Sequence, residues 1–369
     1  MKKLLIFANS DSAIYKFRSE LIRELSKTFK IGIGVPFGEY MKEIENDNYD
    51  FFDIPVNRHG LNPVEDLKLL CKYNKVIRQY KPDVVLLYTV KPNIYGSIAC
   101  SMNKIPCLCN ITGLGTAVET PGKLQKLLIL MYRYAMRKEH TIFFQNEHGR
   151  EFFREYKIGR EDQYYMLPGS GVNLERFQPM PYPSGDIVKY LFVARIIKEK
   201  GIEEFLSVAK RFHAEGRNAE FHICGKCEQA YEDILSKLNE DGVIVYHGLV
   251  KDMRAMYEMA SCVVLPSYYP EGQSNVLLEG AASCRVLITT DHPGCREAVD
   301  DGLTGYLVNK ADVNDLYEKT LKVYEMTNEQ REAVGQAGRK KIEKEFDRQI
   351  VTDAYISRIS LLNLNNEGD

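Results

Sequence analysis

Two glutamates, Glu271 and Glu279, stand eight residues apart in YPEGQSNVLLEGAASC, and two cations, Arg195 and Lys200, stand five apart in FVARIIKEKG. A carboxylate can accept hydrogen bonds from two vicinal hydroxyls at once, as a sugar or a ribose presents them. Fixed cations neutralise a diphosphate. Between the glutamates, Gly272, Gln273 and Ser274 read as a turn and a helix start, which puts Glu271 before the helix and Glu279 within it. Such a helix would aim the main-chain N–H groups of Asn275, Val276 and Leu277 at an anion. Two readings stay open on residue types alone. One is a shared ligand gripped at several points; the other is a set of solvated surface charges in which Lys198 is one more.

The elements that must position these residues are legible as alternation. KLLIFAN reads as a strand, and FRSELIRELSKTF puts Phe17, Leu21 and Leu25 at helical spacing. PDVVLLYT, IPCLCNIT and HTIFFQN continue the strand series with helical segments between them. These runs are apolar throughout, as strands covered on both faces require. FQPMPYPSGD then interrupts the pattern with three prolines and reads as a linker. Beyond it IVKYLFVAR, AEFHICG, VIVYHG, CVVLPS, RVLITT and GYLV restart the alternation. The fold expected is α/β, with two doubly wound parallel-sheet domains at 1–180 and 181–347, facing across a cleft, and a helix over 348–369 crossing back. Ligands of such sheets sit beyond the carboxyl ends of strands. YTVKPN, NITGLG, VARIIKEKG and LPSYYPEG all fall there.

Composition narrows the class. A chain of 369 residues exceeds one typical core. With 49 Lys plus Arg against 51 Asp plus Glu, no global field points to nucleic acid. The opening MKKLLIFANSDS imitates a signal peptide, but its apolar run is too short, so a cytoplasmic protein is expected. The nine cysteines suit free thiols better than a disulfide framework. CGKC at 224–227 has no partner pair and reads as a strand-end turn, with zinc or redox chemistry as the alternative. The seven histidines form no metal pattern, and no metal or other cofactor is expected.

Walker A and a complete GxGxxG after the first strand are both missing, which argues against a P-loop or classical dinucleotide site. The first strand ends in NSDSAIYKFR instead, where Asn9, Ser10 and Ser12 could cap the next helix and leave its amino end for an anion.

In order and spacing, ARIIKEKGIEEF, YHGLV, LPSYYPEGQSNVLLEGAAS and TTDHPGCREAVDDGLTGYLV resemble the retaining glycosyltransferases of family four. That resemblance implies the GT-B fold, two Rossmann-like domains with a nucleotide-sugar donor between them. It implies that Glu271 contacts donor-sugar hydroxyls, that Glu279 takes the ribose, and that Arg195 and Lys200 bind the diphosphate. The turn and helix start (Gly272, Ser274, Asn275, Val276, Leu277) would complete the donor site.

YTVKPNIYG, NITGLGT and FFQNEHG further resemble the bacterial subgroup that builds glycan repeat units on undecaprenyl diphosphate. By that resemblance Arg18, Lys91, Thr112, Gly113 and Asn146 join the substrate-binding set; the alternative for these positions is ordinary turn and cap chemistry. Two departures from the family pattern stand out. Cys284 and Val286 replace a usual Gly-x-Pro turn, and NSDSAIYKFR replaces a paired-glycine loop.

Residues 121–140, PGKLQKLLILMYRYAMRKEH, set Leu124, Leu127, Leu128 and Met131 on an apolar side, beside Lys123, Lys126, Arg133, Arg137 and Lys138. Such a helix suits an anionic membrane surface or a solvated face covering the sheet. The expectation is a metal-independent, retaining transferase. It would move a hexose or N-acetylhexosamine from a UDP-sugar to a polyprenyl-diphosphate-linked saccharide, at the cytoplasmic face of the membrane. A UDP-N-acetylhexosamine 2-epimerase and a non-catalytic two-lobed binding protein are the rivals.

Overall fold

The computed structural model describes residues 1–44, 48–57, 62–138, 141–228 and 230–362. They form two compact units: Met1–Ser170 together with the chain from Gln349 onward, and Gly171–Arg348.

Unit 1 is built on a parallel sheet of seven strands: β1 Lys2–Phe7, β2 Phe29–Val35, β3 Tyr49–Asp53, β4 Val84–Tyr88, β5 Cys107–Ile111, β6 Thr141–Phe144 and β7 Tyr164–Met166. Their spatial order is 3-2-1-4-5-6-7, so the winding reverses between β1 and β4. Every residue of β4, β5 and β6 is buried, because helices cover both faces. Three strands had no sequence signal. β3 and β7 are short and mostly half-buried at the sheet edges. β2 is broken up by glycines that the packing demands. A Cβ on Gly32 would lie 2.9 Å from the Tyr80 ring, and one on Gly34 would lie 2.6 Å from Phe7.

Unit 2 repeats the plan with six parallel strands: β8 Val188–Val193, β9 Ala219–Cys224, β10 Val245–Tyr246, β11 Cys262–Leu265, β12 Val286–Thr290 and β13 Gly305–Val308. The order is 10-9-8-11-12-13, with the reversal between β8 and β11. One apolar core runs from Val172 through all the strands except β10 to Phe346, with Tyr246 packed against it.

The division between the units falls at Ser170/Gly171 and not at 180, as the prolines suggested. Backbone pairing decides this. Val172 N–H donates to Phe346 O at 2.9 Å, and Arg348 N–H donates to Val172 O at 3.0 Å. Arg339 Nη1 also donates to Ala282 O at 2.7 Å and bonds Phe177 O. The proline segment is therefore fastened to unit 2, with Arg285 Nη2 donating to Pro181 O at 2.8 Å. The second break falls after Arg348, and the helix Arg348–Ser360 returns the chain to unit 1. There Asn110 Nδ2 donates to Tyr355 Oη at 2.7 Å and Arg358 Nε donates to Thr141 Oγ1 at 3.1 Å. The expected tail, residues 363–369, lies outside the described residues.

Two further expectations change in detail. At the turn where the family pattern implied glycine, Cys284 takes φ 60°, so the bend is left-handed without a glycine. In the helix Lys123–Ala135 three of the four residues on the predicted apolar side face inward: Leu128 is buried, and Leu124 and Met131 pack on the core, while Leu127 does not. The apolar residues left outside are Leu127, Leu130 and Tyr134. Residues 139 and 140, at the end of that predicted stretch, lie outside the described residues.

Candidate active site

The loop after β8 carries both cations. Lys198–Lys200 form one 3-10 turn closed by Gly201 at φ 80°. A Cβ on Gly201 would lie 2.3 Å from Pro266 O, so the turn sits directly against the end of β11. Tyr268 N–H fastens the two loops by donating to Glu199 O at 2.9 Å. Lys200 is thereby buried and forms an ion pair with Glu271. Burial pushes its ammonium down to about 8; Cys295 opposes this and the Arg195 guanidinium adds to it. Arg195 is exposed, and its Nη1 lies 3.0 Å from Glu228 Oε2.

The loop after β11 turns through Gly272 and Ser274, both buried, into the helix Asn275–Ala282. Ser274 N–H donates to Gly294 O at 2.8 Å. Gly294 has φ 88°, and a Cβ there would come 2.8 Å from Glu271 O, so the loops after β11 and β12 interlock. The side chain of Ser274 makes no capping hydrogen bond. The first N–H groups of a helix have no intrahelical partner, and they carry the positive end of its dipole. Asn275 and Val276 are half-buried there, while Leu277 is core, so only its amide can serve a ligand. Further along, Glu279 Oε2 accepts from Tyr257 Oη at 2.9 Å. Tyr257 is fully buried, which holds its hydroxyl well above the usual phenol range.

Arg195, Lys200, Glu271, Gly272 and Ser274 thus meet on interlocked loops, and Glu279 stands on the helix that follows, bonded by Tyr257. Sequence reasoning missed three partners: Tyr257, Glu228, and Tyr269, whose ring lies beside both cations. Only Tyr269, two residues before Glu271, stood within a stretch already singled out.

In unit 1 the expected residues have local duties. Arg18 is buried, with Cζ 4.6 Å from the centroid of the Tyr88 ring. Lys91 Nζ lies 2.7 Å from Asp66 Oδ1. Asn146 Oδ1 accepts from Gly149 N–H at 2.9 Å and caps the helix Glu147–Glu155. Thr112 and Gly113 follow β5 half-buried, Gly113 at φ 123°. Thr89 stands at φ 74°, a strained setting for a β-branched residue. Ser10 caps the first helix by accepting from Ala13 N–H at 3.4 Å.

Two reversing parallel sheets in one chain, one of them edged by interlocked charged loops, define the GT-B class of glycosyltransferase. Residues 3–146 match the family model described as glycosyl transferase 4-like, and residues 183–341 that of glycosyl transferases group 1. The two models together mark the chain as a glycosyltransferase. It is 24% identical over 330 residues to the N,N'-diacetylbacillosaminyl-diphospho-undecaprenol alpha-1,3-N-acetylgalactosaminyltransferase of Campylobacter jejuni, covering 85% of this chain and 86% of that one. It is 26% identical to the capsular polysaccharide biosynthesis glycosyltransferase CapM of Staphylococcus aureus, over 99% and 98% of the two chains. Among solved structures, Anabaena HepE in complex with UDP and glucose matches with a TM-score of 0.80 at 13% identity, covering 98% of this chain and 100% of that one.

Proposed function

We propose that the protein is a retaining transferase that moves a hexose or N-acetylhexosamine from a UDP-sugar to a polyprenyl-diphosphate-linked saccharide in bacterial glycan or polysaccharide assembly. The observation that carries this is the buried Lys200 beside Glu271 and Arg195, on loops interlocked with an uncapped helix start. The named activity of the Campylobacter relative supports the acceptor class, the name of the Staphylococcus relative supports polysaccharide assembly, and the UDP held by HepE supports the donor. In this reaction the bond from the anomeric carbon to the diphosphate oxygen breaks. An acceptor hydroxyl forms the new bond on the same face, and its proton passes to the departing phosphate. Arg195 and Lys200 then offset the charge building on that phosphate, with no metal required. Glu271 orients the sugar, and Glu279 accepts from the ribose hydroxyls. Arg18, Lys91, Thr112, Gly113 and Asn146 shape the edge that serves the acceptor. A screen of nucleotide sugars by UDP release, with and without polyprenyl-linked acceptor, tests this. Release that needs the acceptor is the expected result; sugar interconversion without acceptor would make the protein an epimerase.

A lipid-borne acceptor calls for work at a membrane surface. No helix among the described residues is long and apolar enough to cross a membrane. The helix Lys123–Ala135 instead leaves Leu127, Leu130 and Tyr134 exposed, beside Lys123, Lys126, Arg133, Arg137 and Lys138, and residues 123–138 include no acid. That composition fits an anionic lipid surface, to which each basic residue contributes about 1 kcal/mol. Replacing Lys126, Arg133, Arg137 and Lys138 with glutamine should release the protein from vesicles containing phosphatidylglycerol. Unchanged binding would make the face a solvated one.

A further inference from the structure

The Tyr269 ring centroid lies 5.1 Å from Arg195 Cζ and 5.1 Å from Lys200 Nζ. Two like charges gathered round one point repel, and that repulsion is one reason the Lys200 ammonium is easier to deprotonate. The face of an aromatic ring attracts each cation, most strongly where water is excluded. Arg195 has a second partner in Glu228, while Lys200 pairs with Glu271. The ring alone among these neighbours touches both cations and carries no charge, so it can hold them without competing for a bound anion.

The ring is itself well fixed. Tyr269 N–H donates to Ser267 Oγ at 3.3 Å, and the neighbouring Tyr268 N–H is tied to the Lys200 turn through Glu199 O. Pro270 follows, and a residue before proline is held to extended backbone. We propose that Tyr269 is a positioning residue of the transfer reaction, whose ring sets the separation of Arg195 and Lys200 so that the pair is ready for a diphosphate. This rests on the reading of those two residues as diphosphate ligands.

The groups facing Lys200 are Arg195 from the loop after β8, Tyr269 and Glu271 from the loop after β11, and Cys295 from the loop after β12. Removing the ring leaves the repulsion from Arg195 and takes away one compensation, so Lys200 should lose its proton at lower pH. Turnover, donor KM, melting temperature and the pH profile of kcat/KM should be measured for Tyr269→Phe, Tyr269→Trp and Tyr269→Leu. The Phe and Trp variants keep a ring and should stay within a fewfold of wild-type kcat. The Leu variant should lose about tenfold in kcat with a smaller change in KM, and its alkaline limb should move to lower pH. A purely structural role would lower the melting temperature of the Leu variant and leave the limb in place, which would overturn the proposal. So would a Phe variant as impaired as Leu, since the hydroxyl and not the ring would then matter. If Arg195→Ala and Lys200→Ala are crippled while Tyr269→Leu is not, this inference alone fails. If all three keep normal turnover, the diphosphate reading fails with it.

Discussion

The carboxyl-terminal edges of the two sheets share a winding and differ in what they do with charge. At the edge of unit 2, three loops interlock around Lys200, Glu271 and Arg195, burying a lysine that water would otherwise solvate. At the edge of unit 1, Arg18 lies over Tyr88, Lys91 pairs with Asp66, Asn146 caps a helix, and Asn110 meets Tyr355. The first edge keeps its charges under electrostatic tension beside an open helix start. The second uses polar groups to fasten its own elements. One topology thus yields an edge that crowds its charges or one that pairs them locally, depending on how closely the neighbouring loops interlock. Substitutions at the two edges should therefore fail in different ways.

The largest effects belong to the cations of unit 2. Arg195→Ala or Lys200→Ala should cost about 2.7–4 kcal/mol of barrier, roughly 10²–10³ in kcat, with a smaller change in donor binding. Steady-state kinetics of either variant checks this, and near-normal turnover would reduce that residue to a solvated charge. The pH dependence follows with its sign fixed. Lys200 is a cation below about 8 and neutral above it, so kcat/KM should be flat below that pH and fall tenfold per unit above it. Bound diphosphate stabilises the ammonium, so the limb of kcat should lie higher. Lys200→Arg keeps the charge at all these pH values and should remove the limb, whatever it costs in rate.

The glutamates come next. On the proposed donor placement, Glu271→Gln should depress kcat more than it weakens donor binding. Glu279→Gln should mainly raise donor KM, because ribose contacts do not change during transfer. Calorimetry with UDP separates the two: the Glu271 variant should bind nearly normally and the Glu279 variant poorly. Equal losses would refute the division of labour.

Much of this site was legible because its chemistry is local. Glu271, Gly272, Ser274 and Glu279 share one turn and helix, and Arg195 and Lys200 share one loop, so spacing along the chain stands in for spacing in the fold. The apolar runs of β1, β4, β5, β6 and all six strands of unit 2 were likewise visible. What escaped depends on distant partners. Tyr257 reaches Glu279 across 22 residues and Glu228 reaches Arg195 across 33, and nothing in either segment announces it. Gly32 and Gly34 hid β2, because the rings that require them belong to Tyr80 and Phe7. The apolar side of Lys123–Ala135 was legible only in part for the same reason: a wide apolar stripe does not say which half the core takes, and Leu127 stays outside.

The smallest effect gives the finest comparison, drawn between one buried tyrosine of each unit whose hydroxyl meets a polar side chain. Tyr257 donates to Glu279 at 2.9 Å in unit 2, and Tyr355 accepts from Asn110 at 2.7 Å in unit 1. Both side chains are about 1% exposed or less, so each Phe substitution removes one oxygen with little change in packing. In unit 1 the loss leaves the Asn110 amide short of a partner in the interior, which costs about 1–3 kcal/mol. Tyr355→Phe should therefore lower the melting temperature by several degrees and leave the affinity for UDP unchanged. In unit 2 the carboxylate left behind is half-exposed and can turn to water, so the stability cost should be smaller. Its aim at the ribose would be lost instead, and Tyr257→Phe should raise donor KM severalfold at nearly constant kcat. Thermal unfolding and UDP calorimetry on the two variants would measure both halves. If Tyr257→Phe shifts only the melting temperature, its hydroxyl fastens the helix as Tyr355 fastens unit 1, and the contrast between the edges would not extend to Glu279.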